Sequence, residues 1–275
     1  MKTMTKYKIM TLGLALMVTT VCFAQEKAEI DEEALAQAAQ NPIADMISVP
    51  FQNNMNLNVG PDDKVQNVLN IQPVWPFPIN EDWNLITRTI LPVISQPEII
   101  PGYGRTVGIG DINFTAAFSP AKPTASGLIW GVGPVFLLPT ASDDVLGTKK
   151  WGIGPTAVAL KIQGPWVYGA LINNIWSVAG DDDRADVNQM LLQPFVNYNL
   201  SKGWYITSAP IITANWEADS DNRWTVPIGA GVGKIFRIGK QPINAQLSYY
   251  YNVEKTDDEA ADQQIRIQVQ LLFPK

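Results

Sequence analysis

The 275-residue chain contains no histidine and one cysteine, Cys22. Without imidazole it lacks the usual general base of hydrolases and acyltransferases. One cysteine cannot form a disulfide scaffold, and without histidine beside it a Cys/His metal site is excluded as well. After residue 46 no stretch keeps a helical period long enough for a crossover connection, so a parallel sheet is not expected. Charge is scarce too: 17% of residues are charged and the net charge is -6, against an apolar share of 46%. That size and balance fit one large domain or two small ones.

What is present begins with MKTMTKYKIMTLGLALMVTTVCFAQ. Lys2, Lys6 and Lys8 open it, an apolar run continues to Val21, and Cys22 and Ala24 supply small residues before a cleavage point. Residues 1–24 are expected to be a signal peptide cut after Ala24, which marks the protein for export. A membrane helix fits less well, because the apolar run is short and polar residues follow at once. Bulky Val21 argues against lipidation of Cys22. Residues 25–46 are rich in Ala and Glu until Pro42 breaks the pattern. They read as a helical or flexible periplasmic tail, with a plug as the alternative.

From Ile47 the period becomes two. Ile47, Val49, Phe51, Met55, Leu57 and Val59 alternate with Ser48, Gln52, Asn54, Asn56 and Asn58. Similar stretches run over Leu69–Phe77, Trp83–Val93, Ile112–Phe118, Leu128–Leu138, Trp151–Ile162, Trp166–Val178, Gln189–Tyr198, Trp204–Trp216, Trp224–Phe236 and Ile243–Val253. In the closing IRIQVQLLF, Ile265, Ile267, Val269, Leu271 and Phe273 share one parity and Arg266, Gln268 and Gln270 the other. The first set is expected to face lipid and the second a lumen. About twelve strands of roughly ten residues suit a transmembrane barrel. The expected fold is therefore all-β: an antiparallel outer-membrane β-barrel over residues 47–275. Phe273 is expected to be the aromatic signal read by the barrel-assembly machinery.

Two further patterns support that count. Alternate connections, such as TASDDVLGTKK at 140–150 and GDDDRAD at 180–186, are mostly long and acidic, whereas QGP at 163–165 and SKG at 201–203 belong to a mostly short set. Long outer loops and short periplasmic turns are the habit of such barrels. All nine tryptophans fall at strand ends. Trp75, Trp83, Trp130, Trp166 and Trp204 lie beside the short turns, and Trp151, Trp176, Trp216 and Trp224 beside the acidic loops. Indole prefers the membrane–water boundary, so two aromatic belts against outer-membrane lipid are expected.

The stretches NPIADMISVPFQNN (41–54), GIGDINFTAAFSPAKP (108–123), LIWGVGPVFLLPTASDD (128–144), WGIGPTAVAL (151–160) and RWTVPIGAGVGKIFRIGKQPINAQLSYYYNV (223–253) carry a family resemblance. Over nearly all of the chain after residue 40 it resembles the bacterial outer-membrane family named for the meta-cleavage pathway of phenol degradation. Members are often labelled "transporter" or neuromedin U-like. The resemblance implies an outer-membrane barrel, associated in some members with uptake of aromatic or hydrophobic compounds. It carries over no catalytic or binding residues.

The polar parity marks a lumen lined by Gln52, Asn54, Asn56, Asn113, Thr115, Gln189, Gln193, Asn197, Asn244, Gln246, Asn252, Gln268 and Gln270. Its few charges are Asp111, Arg266 and Arg88. Arg88 shares its parity with Ile86 and Ile90, so its inward placement rests on the cost of about 2–4 kcal/mol for an arginine facing lipid near the midplane. Asp111 and Arg266 are expected at an upper constriction, with Asn113 and Gln268 one rung below. These amides either line an open pore or fill it. Asp143/Asp144 and Asp181–Asp183 read first as solvated loop charge, with divalent-cation binding as the functional alternative. The glycines of GIGD (108–111) and GAGVG (229–233) open no helix, so they serve barrel curvature or lumen space before phosphate binding.

The expected function is a non-enzymatic passive channel for a small hydrophobic or uncharged solute. A filled structural or adhesive barrel and a secreted β-sandwich binding module are the alternatives. No cofactor and no nucleic-acid partner are expected.

Overall fold

The computed structural model describes residues 32–60, 62–98, 102, 104–256 and 260–274. The expected signal peptide, with Cys22 and Ala24, and residues 25–31 lie outside them. The rest forms one antiparallel sheet of fifteen segments. These are β1 (Ile47–Val59), β2 (Lys64–Ile71), β3 (Val74–Pro78), β4 (Trp83–Gln96), β5 (Thr106–Ile109), β6 (Ile112–Pro120), β7 (Leu128–Leu138) and β8 (Lys150–Gln163). They continue as β9 (Trp166–Gly180), β10 (Asn188–Asn199), β11 (Trp204–Ser208), β12 (Ile212–Asn215), β13 (Trp224–Ile238), β14 (Gln241–Glu254) and β15 (Gln263–Phe273). β2/β3, β5/β6 and β11/β12 each act as one interrupted stave, which leaves twelve. β1 pairs with β15 from Ile47↔Phe273 to Leu57↔Gln263 and closes the barrel. One closed sheet, not two packed ones, rules out the sandwich.

Closure leaves no sheet edge, so outside three local breaks the staves satisfy their backbone within the ladder, as a hydrocarbon surrounding demands. The parity read from the closing strand holds: Ile267, Val269 and Phe273 are exposed, while Arg266 and Gln270 are buried. Trp75, Trp83, Trp151, Trp166, Trp176, Trp204 and Trp216 are also on the outer surface. At the turn end Trp83 meets Trp130 edge-on at 5.9 Å, and Trp204 lies 4.9 Å from Lys234. At the loop end Trp216 meets Trp224 edge-on at 5.5 Å, and its indole N–H donates to Asn174 at 2.8 Å.

Three staves read from the sequence as continuous, or as starting late, are broken. The breaks fall at Gln72–Pro73, Gly110–Asp111 and Ala209–Pro210–Ile211. Proline has no N–H to give the ladder, which explains the first and third. At the second, a Cβ on Gly110 would press on Ile94, Pro92 and the Leu146 carbonyl.

The described part of the N-terminal segment does not hang free as a tail. Residues 32–39 form a helix that enters the turn end of the barrel. Leu35, Ala36 and Met46 pack on Ile235 and Leu272, and Ile43 packs among Val74, Ile86, Val158, Leu160 and Val167. Gln40 and Asn199 exchange amide hydrogen bonds of 2.9 and 3.1 Å. The segment sits where a plug would, and its apolar face covers Ile235, Leu272 and Leu160 inside the barrel.

Candidate functional site in the barrel lumen

Inside the wall three cavities follow one another along the barrel. A loop-end vestibule of about 440 Å³ is lined by Asp111, Asn113, Thr148, Arg184, Asp186 and Gln189 among others. It shares Pro92, Asn113, Ile175 and Gln189 with a middle chamber of about 310 Å³. That chamber in turn shares Pro42, Gln52, Gln72, Arg88, Leu171 and Gln193 with a turn-end chamber of about 150 Å³ against the plug. These shared residues mark the junctions between adjoining chambers, and the junction at Arg88 and Gln193 is the neck.

The lumen is less uniformly polar than the alternation suggested. β4 through β10 contribute an aliphatic patch to the middle chamber: Ile86, Ile90, Ala117, Val135, Val158, Leu171, Ile175 and Leu191. The turn-end chamber is lined instead by amides of β1, β14 and β15, namely Gln52, Asn244, Gln246, Gln268 and Gln270. Gly229 and Gly233 make room for Tyr250 and Tyr205 and Gly231 for Ser248, and a Cβ on Gly233 would collide with the Tyr205 ring. The Tyr205 hydroxyl donates to Asn244 at 2.7 Å. The GAGVG glycines thus serve lumen space.

Each lumen charge inferred from the sequence is tied to one stave break. Arg88 points inward, as its cost on the lipid side required, and donates to the Gln72 side-chain carbonyl at the first break. Asp111, in the second break, accepts from Ala141 N–H at 3.1 Å, Thr148 N–H at 2.6 Å and Thr148 hydroxyl at 2.8 Å. Arg266 donates to the Ala209 carbonyl at 2.9 Å in the third break, and to Asn54 and Gln264 at 3.1 and 3.0 Å. Its guanidinium lies 4.7 Å from the Tyr250 ring, whose hydroxyl accepts from Ala209 N–H.

The expected upper constriction of Asp111 and Arg266 is therefore not assembled. Asp111 lines the vestibule, whereas Arg266 lines a separate niche with Asn56, Asn252 and Gln264. Of their expected lower neighbours, Asn113 reaches the middle chamber, but Gln268 lies in the turn-end chamber beside Asn197. Sequence spacing places residues on a face but says nothing of breaks that consume a charge. Arg88 and Gln193 stand instead at the junction of the middle and turn-end chambers.

The acidic loops meet cations of the chain itself. Lys149 pairs with Asp144 at 2.7 Å and Asp181 at 3.8 Å, and Lys150 with Asp186 at 3.1 Å. Among the described residues, no three acidic groups converge as a metal site.

Two features of the sequence mark this arrangement. Leu272 lies on the polar parity of β15, where an aliphatic side chain implies something apolar within the barrel. Pro73 and Pro210 lie in the breaks and announce them.

The fold is shared with solved structures. An outer membrane channel from Pseudomonas putida F1 superposes with a TM-score of 0.63 at 18% identity, over 83% of this chain and 94% of that one. The NanC porin reaches a TM-score of 0.49 at 9% identity, over 83% and 100%. Outer membrane phospholipase A from Escherichia coli reaches 0.43 at 12%, over 84% and 93%. No protein-family model matches the chain, and no curated protein matches it. The first likeness establishes the outer-membrane barrel fold.

Proposed function

We propose that the protein is a passive channel of the bacterial outer membrane for small, predominantly apolar or uncharged solutes. The supporting observation is the row of cavities running from the loop end to the plug, walled by aliphatic side chains and neutral amides. Strong anions and phosphates are usually drawn by rings of Lys and Arg, and this lumen has a single arginine at its neck. The lipid-facing belt and closed sheet support placement in the outer membrane. The resemblance to the phenol meta-cleavage family supports the solute class. Lacking histidine, the lumen offers no imidazole base for ester hydrolysis.

A strain lacking the protein should take up toluene and benzyl alcohol several-fold more slowly than its complemented parent. Entry of glycerol should be unchanged. The plug supports a second reading, a closed barrel acting through its loops. Equal uptake of all three compounds in both strains would favour it.

A further inference from the structure

We propose that Arg88 and the aliphatic patch beside it form a binding site for an amphipathic monocarboxylate, one acidic head on an apolar ring or short chain. This goes beyond the channel reading, adding one acidic head to a predominantly apolar solute, and rests on that reading for the pathway. Arg88 lies at the neck, and both chambers that share it contain no Asp or Glu among their lining residues. Among the described residues no ion pair involves it. Gln72 accepts one of the five guanidinium donors, and it is itself 3% exposed, so it fixes the fork in place. A cation so held, next to a chamber without counter-charge, is matched by a planar carboxylate that can accept two parallel N–H bonds.

The rest of the ligand is defined by what surrounds that fork. Ile86 and Ile90 flank Arg88 on the same strand face, and Val158, Leu171 and Leu191 complete the patch. The chamber holds about 310 Å³. That is roughly twice the ~150 Å³ cavity that accepts benzene, enough for one substituted ring or an alkyl chain of similar bulk. A second carboxylate would find amides and hydroxyls but no second cation in the chamber lining, which disfavours dicarboxylates. Phosphate, with its larger charge and hydration, would find one cation only.

The test uses the full chain in lipid nanodiscs, with phenylacetate and its uncharged isostere phenylacetamide titrated by calorimetry. Phenylacetate is expected to bind at least about tenfold more tightly, the ratio that one charge-assisted hydrogen bond supplies. Arg88→Gln should remove that preference, and Arg88→Lys should restore only part of it, because an ammonium lacks the fork. Equal affinity of the two compounds for the unmodified protein overturns the proposal without any variant. A preference that survives Arg88→Gln in an assembled barrel overturns it as well. The channel reading fails separately, on unchanged uptake of toluene and benzyl alcohol in the deletion strain.

Discussion

Arg266 shows how a charged side chain is accommodated within a barrel wall. It is 3% exposed, has no carboxylate partner among the described residues, and spends its donors on Asn54, Gln264 and the Ala209 carbonyl. The last of these is a backbone group that the Ala209–Pro210–Ile211 break removes from the ladder. An orphaned buried acceptor costs about 1–3 kcal/mol. Arg266→Ala is therefore expected to destabilise the barrel by at least that amount, seen as a lower urea midpoint for loss of the heat-modifiable form. Arg266→Lys should recover less than half, because one ammonium cannot serve three diverging acceptors. An unchanged midpoint in Arg266→Ala would show that the break is held by the ladder alone.

At the scale of elements, the loops 139–149 and 181–187 are joined by their own charges. Arg184 donates to the carbonyls of Asp144 and Gly147 at 2.9 and 2.5 Å, beside the Lys149 and Lys150 pairs. The Asp144 carboxyl is held below the ordinary aspartate range chiefly by its hydrogen bond from Lys149. That of Asp186 is held low by Lys150 and then by Ser177. A depressed acid contributes stability above its unfolded pKa and loses it as pH falls through the folded value. Amide-exchange protection of these loops should thus persist from about pH 7 to 5 and fail only below roughly pH 4. High salt should weaken it, since both carboxylates are exposed. Loss of protection already between pH 7 and 5 would mean that other contacts order the loops.

At the scale of the whole molecule, residues 35–46 pack across the turn end of the barrel. Leu35 and Met46 are buried against Ile235 and Leu272, and burying one such side chain is worth about 1.5–3 kcal/mol. Removing residues 25–46 is expected to lower the temperature of heat modification and to raise single-channel conductance in planar bilayers several-fold. The turn-end chamber would then open directly to solution. Conductance equal to that of the full chain would place the main resistance at the Arg88 neck instead.

Alternation determined the parity of the staves, their approximate number and the inward face of the amides. These are local properties: a strand with one apolar side must turn that side to lipid or to a core, and a period of two reveals which residues share it. Tertiary structure alone decided three things. It set an aliphatic patch within the lumen, because Ile86 and Ile90 share a parity with Arg88 and the local pattern does not separate a lipid neighbour from a solute. It assigned Arg88, Asp111 and Arg266 to three separate breaks, because a backbone group freed by Pro210 finds its partner three staves away. And it brought residues 32–46 into the barrel, because Leu35 and Met46 can be buried only where the closed sheet presents Ile235 and Leu272 together.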